Sequence, residues 1–263
     1  MLTEVHVPDD VSAAVGLIAA GGTAMGGGTS LMPWLNDYAS PPTTLVSLRR
    51  TGLSGVHIAG STVTIGAATT LAQLEQDEDL NPVVRSIASV PVRNLATVGG
   101  NLFARQPHGD LAVALVALDA RVALLDETGT RELPVDDFVS TDRPAALVTA
   151  VTFERPAPGT FKYVKAARRR FNSVSVVTVA ATITESDGLV TGARVAFGGV
   201  SPQIVRAHAV EAALVGRPLT EATVSAAAQA GLGEISPADD AYASAWYRTR
   251  VFPVHLRRAL LGH

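Results

Sequence analysis

The stretch most suited to chemistry is Met25-Gly26-Gly27-Gly28-Thr29-Ser30-Leu31, where three glycines precede two hydroxyl side chains. Glycine lets the backbone take positive φ and approach a ligand closely. Successive exposed N–H groups form a concave nest that suits phosphate oxygens, and Thr29 and Ser30 add hydroxyl donors. A pyrophosphate fits that chemistry, although a plain flexible turn also uses such residues. A nicotinamide-dinucleotide loop fits poorly, because Leu31 stands where the third glycine would be and no strand acid follows at the right distance. The phosphate loop of nucleotide hydrolases is absent, since no Gly-Lys-Ser/Thr occurs. A second glycine pair lies in Thr97-Val98-Gly99-Gly100-Asn101, with Pro107-His108-Gly109-Asp110 after it.

Other chemistries find little support. The sequence has no Gly-x-Ser-x-Gly elbow and no His-x-x-x-His pair. His6, His57, His108, His208, His255 and His263 are scattered, and His108 alone lies beside a glycine loop. The absence of cysteine excludes a cysteine nucleophile, a disulfide framework and an iron–sulfur cluster ligated by this chain. A net charge of −3 gives no strong pull toward nucleic acid or membrane. No secretory h-region opens the chain and no apolar run reaches the ~18 residues of a membrane span. A soluble cytoplasmic protein is the expectation. With 263 residues, 47 % of them hydrophobic and only 17 % charged, the chain can bury a real core or cover surface against partner subunits.

The elements that must position these loops can be read from local patterns. Asp9 and Asp10 can cap a helix with Val11, Val15 and Ile18 on one face, which Gly21-Gly22 would end. Residues 23–25 read as a short buried strand feeding the first loop, and 44–48 as the next strand. A hairpin is expected from 56–58 and 63–65. Helical stretches follow from Leu71 and from Pro82. The run 111–120 reads as a buried helix, and 121–125 with 131–133 as strands. The best linker candidate is Arg155-Pro156-Ala157-Pro158-Gly159. Beyond it, 174–184 and 190–198 read as paired strands around Asp187-Gly188, and the chain from Glu211 is mostly helical in pattern. The fold class is α+β: two mixed N-terminal subdomains and a C-terminal sheet-and-helix domain.

Residues 92–120 also carry a resemblance. Val92-Arg93-Asn94-Leu95-Ala96-Thr97-Val98-Gly99-Gly100-Asn101-Leu102, then Pro107, Asp110 and an apolar helix ending Leu118-Asp119-Ala120, is similar to the FAD-binding medium subunit of the molybdenum hydroxylases, the xanthine dehydrogenase and carbon monoxide dehydrogenase family. Gly27-Gly28-Thr29-Ser30-Leu31 and Ile65-Gly66-Ala67-Ala68-Thr69-Thr70-Leu71 resemble two further family motifs. Phe197-Gly198-Gly199-Val200 and Tyr247-Arg248 with Arg257-Arg258-Ala259-Leu260 extend the likeness into the C-terminal part.

The resemblance implies a PCMH-type FAD-binding domain over 1–155, with subdomains of about 1–52 and 53–155, and a C-terminal domain over 160–263. Ala24, Met25, Gly26, Gly27, Gly28, Thr29, Ser30 and Leu31 would line the pyrophosphate. Ala96, Thr97, Val98, Gly99, Gly100 and Asn101 would meet its other side and the ribityl chain. Asp110 would accept hydrogen bonds from ribityl or flavin groups, Ile87 and Val174 would pack near the flavin, and Lys165 would stand at the site from the C-terminal domain. Asp110 is too costly to bury alone, so a hydroxyl-rich ligand or Arg93 is its expected partner; a helix N-cap is the other role open to it. Arg93 and Asn94 read as loop-fixing residues.

No catalytic side chain is implied. FAD would take electrons from 2Fe-2S clusters on a small partner subunit, which drains a molybdenum cofactor on a large molybdopterin subunit. Two alternatives are a stand-alone FAD enzyme using His108 or Lys165 as base, and a member that has lost its flavin. The departures from the family pattern are a short segment between Thr70 and Val92, Arg105-Gln106, and Phe171-Asn172-Ser173 after Arg168-Arg169-Arg170.

Overall fold

In a computed structural model the described residues are 2–36, 42–140, 146–169 and 172–262. Arg170 and Phe171, two of the departures noted above, lie outside them. Three sheets organise the chain. The first is parallel, with β1 (Glu4–His6) and β2 (Thr23–Met25) flanking β3 (Thr44–Ser47). Helix α1 (Val11–Ala19) crosses over between β1 and β2. Its N-cap is Asp10, whose carboxylate accepts from the Ala13 N–H. Gly21, at φ 99°, turns the chain out of the helix. Helix α2 (Leu31–Asn36) follows β2 directly after the first glycine loop.

The second sheet is antiparallel. It has the order β4 (Val56–Ala59), β5 (Thr62–Gly66), β8 (Leu147–Glu154), β6 (Arg121–Asp126), β7 (Gly129–Pro134). Between β5 and β6 come a 3₁₀ turn (Gln73–Gln76) and four short helices, α3 (Asn81–Arg85), α4 (Val90–Arg93), α5 (Val98–Leu102) and α6 (Asp110–Ala117). Every residue of α6 is buried, which accounts for its uniform apolarity. Helix α7 (Val135–Ser140) closes the unit under Phe138.

The third sheet has the order β12 (Val205–Arg206), β11 (Leu189–Gly198), β10 (Ser175–Ser186), β9 (Phe161–Ala167). The long hairpin β10–β11 turns at Asp187-Gly188, both at positive φ. Helices α8 (His208–Leu214), α9 (Glu221–Gly231) and α10 (Ala245–Leu261) cover one face, with Phe197 and Phe252 edge-to-face at 4.7 Å in the core. The opposite face meets α6: Ala180 and Ala196 belong to the same buried cluster as that helix. The segment before β9 is tied down at its start, where Arg155 pairs with Asp77 at 2.7 Å and with Asp79.

Candidate functional site

The two glycine loops lie on different sheets and meet face to face. A Cβ at Gly27 would stand 1.6 Å from the Leu95 carbonyl oxygen, and one at Gly26 would stand 2.5 Å from Thr97 Oγ1. Neither position tolerates a side chain, so these glycines are required by contact between the loops. The φ of +71° at Gly28 is a further requirement for glycine. Ala24 and Met25 end β2, and Leu31 opens α2. The backbone N–H groups of Gly27, Gly28, Thr29 and Ser30 donate to no acceptor among the described residues. Four successive free donors are what an anion needs.

The second loop is pinned from behind. The Val98 and Gly99 N–H groups donate to the Thr69 and Ala67 carbonyls, and the Ala96 carbonyl accepts from Leu71. Gly99 must therefore be glycine, because a Cβ on it would stand 2.9 Å from the Ala67 Cβ. Thr97 caps α5, its hydroxyl accepting from the Gly100 N–H. Gly100 is exposed, and Asn101 Oδ1 is buried with no hydrogen-bond partner. A buried unpaired acceptor of this kind is costly, and a ligand hydroxyl or N–H would satisfy it.

A cavity of about 420 Å³ opens beside the loops, lined by Met25, Gly26, Gly27, Leu48, Leu95 and Thr97 among others. Gly100, Asn101, Ile87, Asp110 and Lys165 do not line it. It therefore adjoins the loops without reaching the other candidate residues.

Asp110 and Lys165 meet elsewhere, at the start of α6. Gly109 takes the N-cap position of α6 at φ +80°, close against Ala104 and the Asn101 carbonyl. Asp110 is thus the first helical residue and not the cap. Nor is Arg93 its partner. The Asp110 carboxylate accepts from Lys165 Nζ at 2.9 Å and from the Ser175 and Thr178 hydroxyls, both at 2.6 Å. The ion pair is buried, with both side chains under a tenth exposed. Arg93 instead pairs with Glu75 at 2.8 Å and donates to the Ile87 and Ala88 carbonyls. The loop-fixing role read for it holds. Asn94 is exposed beside the cavity.

Lys165 also donates to the Ser86 carbonyl at 2.8 Å, next to Ile87. The Ser86 hydroxyl bonds Tyr163 Oη at 2.9 Å. Burial, and then the Asp110 charge, push the Tyr163 phenol well above its ordinary pKa, which keeps it a neutral hydrogen-bonding group. Val174 is half-buried beside Ser175. The structure therefore joins Asp110 and Lys165 to the Ser86 carbonyl beside Ile87 and to Ser175 beside Val174, at a seam between α6, the α3–α4 turn and the third sheet.

Ser86, Tyr163, Ser175 and Thr178 were missed in the sequence, and nothing in the spacing of a serine or threonine on an apolar strand announces its partner. In the sequence Gln106 stands out only as a departure from the family pattern; its amide bridges the Gly199 N–H at 2.6 Å and the His108 carbonyl. His108 is exposed, packed against the Tyr242 ring. Arg105 is exposed, as a surface arginine should be.

One loop with unpaired N–H groups, set against a second that carries the unpaired Asn101 Oδ1, is an arrangement suited to an anionic, hydroxyl-bearing ligand on an α+β chain. Comparison with known proteins narrows this. Residues 2–154 match the model of the FAD binding domain in molybdopterin dehydrogenase, and residues 162–262 that of the CO dehydrogenase flavoprotein C-terminal domain. The chain is 30 % identical to the 6-hydroxypseudooxynicotine dehydrogenase complex subunit alpha of Paenarthrobacter nicotinovorans, over 97 % of this chain and 92 % of that one. It is 28 % identical to the carbon monoxide dehydrogenase medium chain of Hydrogenophaga pseudoflava, over 98 % and 95 %. A solved structure of carbon monoxide dehydrogenase from that organism superposes with a TM-score of 0.92, at 28 % identity over 99 % of this chain and 96 % of that one. The chain belongs to the family of FAD-binding subunits of molybdopterin dehydrogenases and is an oxidoreductase subunit. No helix among the described residues is long and apolar enough to cross a membrane.

Proposed function

We propose that this chain is the FAD-carrying electron-transfer subunit of a molybdenum-containing hydroxylase or dehydrogenase. The observation that carries the reading is the meeting of two glycine loops from different sheets, with free N–H groups on one and the unpaired Asn101 Oδ1 on the other. When bound, FAD supplies redox chemistry linking one-electron donors to an external acceptor. This chain's residues bind and orient it. Gly26 to Ser30 would hold the pyrophosphate through backbone N–H groups, with Ala24, Met25 and Leu31 shaping the wall. Thr97, Gly100 and Asn101 would contact the phosphates and the ribityl chain, while Ala96, Val98 and Gly99 back that loop. Ile87 and Val174 would bound the flavin ring. Asp110 and Lys165, already satisfying one another, would present their remaining hydrogen-bonding capacity to it.

In this reading residues 1–155 form the FAD domain, with subdomains of about 1–52 and 53–155, and residues 160–263 form a cover over the flavin. Electrons would arrive from 2Fe-2S clusters on a small partner, fed by a molybdenum cofactor on a large one. The names of the relatives, a medium chain and a complex subunit, support that assembly. Lys165 is taken up by the Asp110 carboxylate and the Ser86 carbonyl, and the proposal assigns it no proton transfer.

The test is the flavin, molybdenum and iron content of the assembly that co-purifies with the tagged chain from its native host. A multi-chain complex holding all three is expected. A lone yellow chain without metal would overturn the electron-transfer reading in favour of a stand-alone flavoenzyme. A chain that stays colourless after incubation with FAD would overturn both.

A further inference from the structure

The turn after α3 has an unusual backbone. Ala88 sits at φ +47°, a region that L residues with a Cβ rarely adopt. Three consecutive carbonyls at this turn, those of Ser86, Ile87 and Ala88, accept hydrogen bonds from two cations. One cation is Lys165, reaching from β9. The other is Arg93, at the end of α4 and only 7 % exposed. Its Nη1 takes the Ile87 and Ala88 carbonyls at 3.0 and 3.3 Å, while its Nε is held by Glu75 at 2.8 Å. The backbone N–H of Ala72 fixes the Arg93 carbonyl in turn. Arg93 is thus a rigid fork joining the 3₁₀ turn to the strained one, and Lys165 closes the other side of the same turn.

From these contacts we infer that Arg93, braced by Glu75, is a positioning residue that sets the place of Ile87 at the flavin end of the site. The inference rests on the proposed FAD site and adds to it a residue that touches neither phosphate nor flavin. The Ile87 side chain leaves the backbone between two fixed carbonyls, so its position follows theirs. Without the fork, Ala88 has no reason to hold positive φ, and the turn relaxes toward ordinary backbone. A lysine keeps the charge but cannot bond Glu75 and two carbonyls from one planar group.

The experiment uses the full chain loaded with FAD. Arg93→Met, Arg93→Lys and Glu75→Gln are compared with Val122→Ala, a truncation in β6 within the same buried core that leaves the hydrogen bonds of the turn intact. Flavin content, thermal stability, flavin fluorescence and the visible circular dichroism of the bound flavin are read for each. The expected result is that Arg93→Met retains FAD, because the glycine loops are untouched, while its dichroism band changes and its fluorescence rises. Arg93→Lys and Glu75→Gln should move both signals the same way by less, and Val122→Ala should lose stability with neither signal altered. Unchanged flavin signals in the Arg93 variants would overturn the inference, and so would the same change in Val122→Ala. Should Arg93→Met fail to fold, Arg93→Lys and Glu75→Gln decide. Failure of the underlying reading is separate and visible first, as a parent chain that takes up no FAD.

Discussion

Replacing Asp110 by asparagine tests the seam between the sheets. The two side chains are isosteric, so packing around α6 is preserved. The amide oxygen can still accept from Ser175 and Thr178, which both meet Oδ1. The amide nitrogen then faces Lys165 Nζ, a donor against a cation at a distance that is now 2.9 Å. Lys165 keeps the Ser86 carbonyl but loses its counter-charge. Removing one partner of a buried pair costs about 3–5 kcal/mol, a large part of the ~5–15 kcal/mol that holds a typical domain together. At roughly 2–4 °C per kcal/mol for chains of this size, the melting temperature should fall by roughly 6–20 °C. The assay is thermal unfolding followed by circular dichroism, without added FAD, for Asp110→Asn, Lys165→Met and the double variant. Because each single change strands the other group, the double variant should be less damaged than the sum of the two, with a coupling of roughly 1–3 kcal/mol. A loss under about 0.5 kcal/mol for Asp110→Asn, or strict additivity, would refute the claim that this pair ties α6 to the third sheet.

Other substitutions separate the glycines by role. Gly27→Ala should strip flavin and destabilise the chain by about 1–3 kcal/mol or more, because its Cβ meets a backbone oxygen at 1.6 Å; a variant with normal stability would contradict the loop contact. Gly100→Val should fold yet hold little flavin, since Gly100 is exposed on the proposed phosphate path and, outside its own helix backbone, its Cβ would meet Thr97 Oγ1 at 2.9 Å; normal flavin content would count against that site. Gly16→Ala, exposed inside α1 with nothing within 4 Å, should raise stability by about 0.4–1 kcal/mol in a denaturant titration. The Ser61 and Thr62 hydroxyls hold the Glu154 carboxyl below its ordinary pKa. Its contribution is therefore present above about pH 4.3 and lost as pH falls through the lowered value. The stability gap between the parent chain and Glu154→Gln should close in acid, and a gap constant from neutral pH downward would refute this.

Local features of the fold were legible in the residues. The Asp10 cap, the β4–β5 hairpin and the β10–β11 turn at Asp187-Gly188 all depend on neighbours a few positions apart; the strand at 23–25 is present too, but it is half-buried with Ala24 exposed and not the buried strand expected. The apolar run after Asp110 gave α6 for the same reason. Strand β8 escaped notice, although it sits between β5 and β6 at the centre of its sheet. Its partners lie about 90 and 30 residues away, and pairing over such distances leaves no local mark. Among the candidate site residues, the glycine loops declared themselves through backbone requirements. The partners of Asp110 did not, because a lysine on β9 and two hydroxyls near the start of β10 meet it only once the third sheet is docked.

The contact between Gly27 and the Leu95 carbonyl has a mechanical consequence. Two loops that touch backbone to backbone are spaced by the radii of main-chain atoms, with no side chain as shim between them. The width of the cleft they form is then a fixed gauge. Surfaces elsewhere on the chain can be rewritten to suit a different partner or acceptor while the gauge keeps its dimension. Residues that would re-size it have nowhere to go but into the opposing strand of backbone.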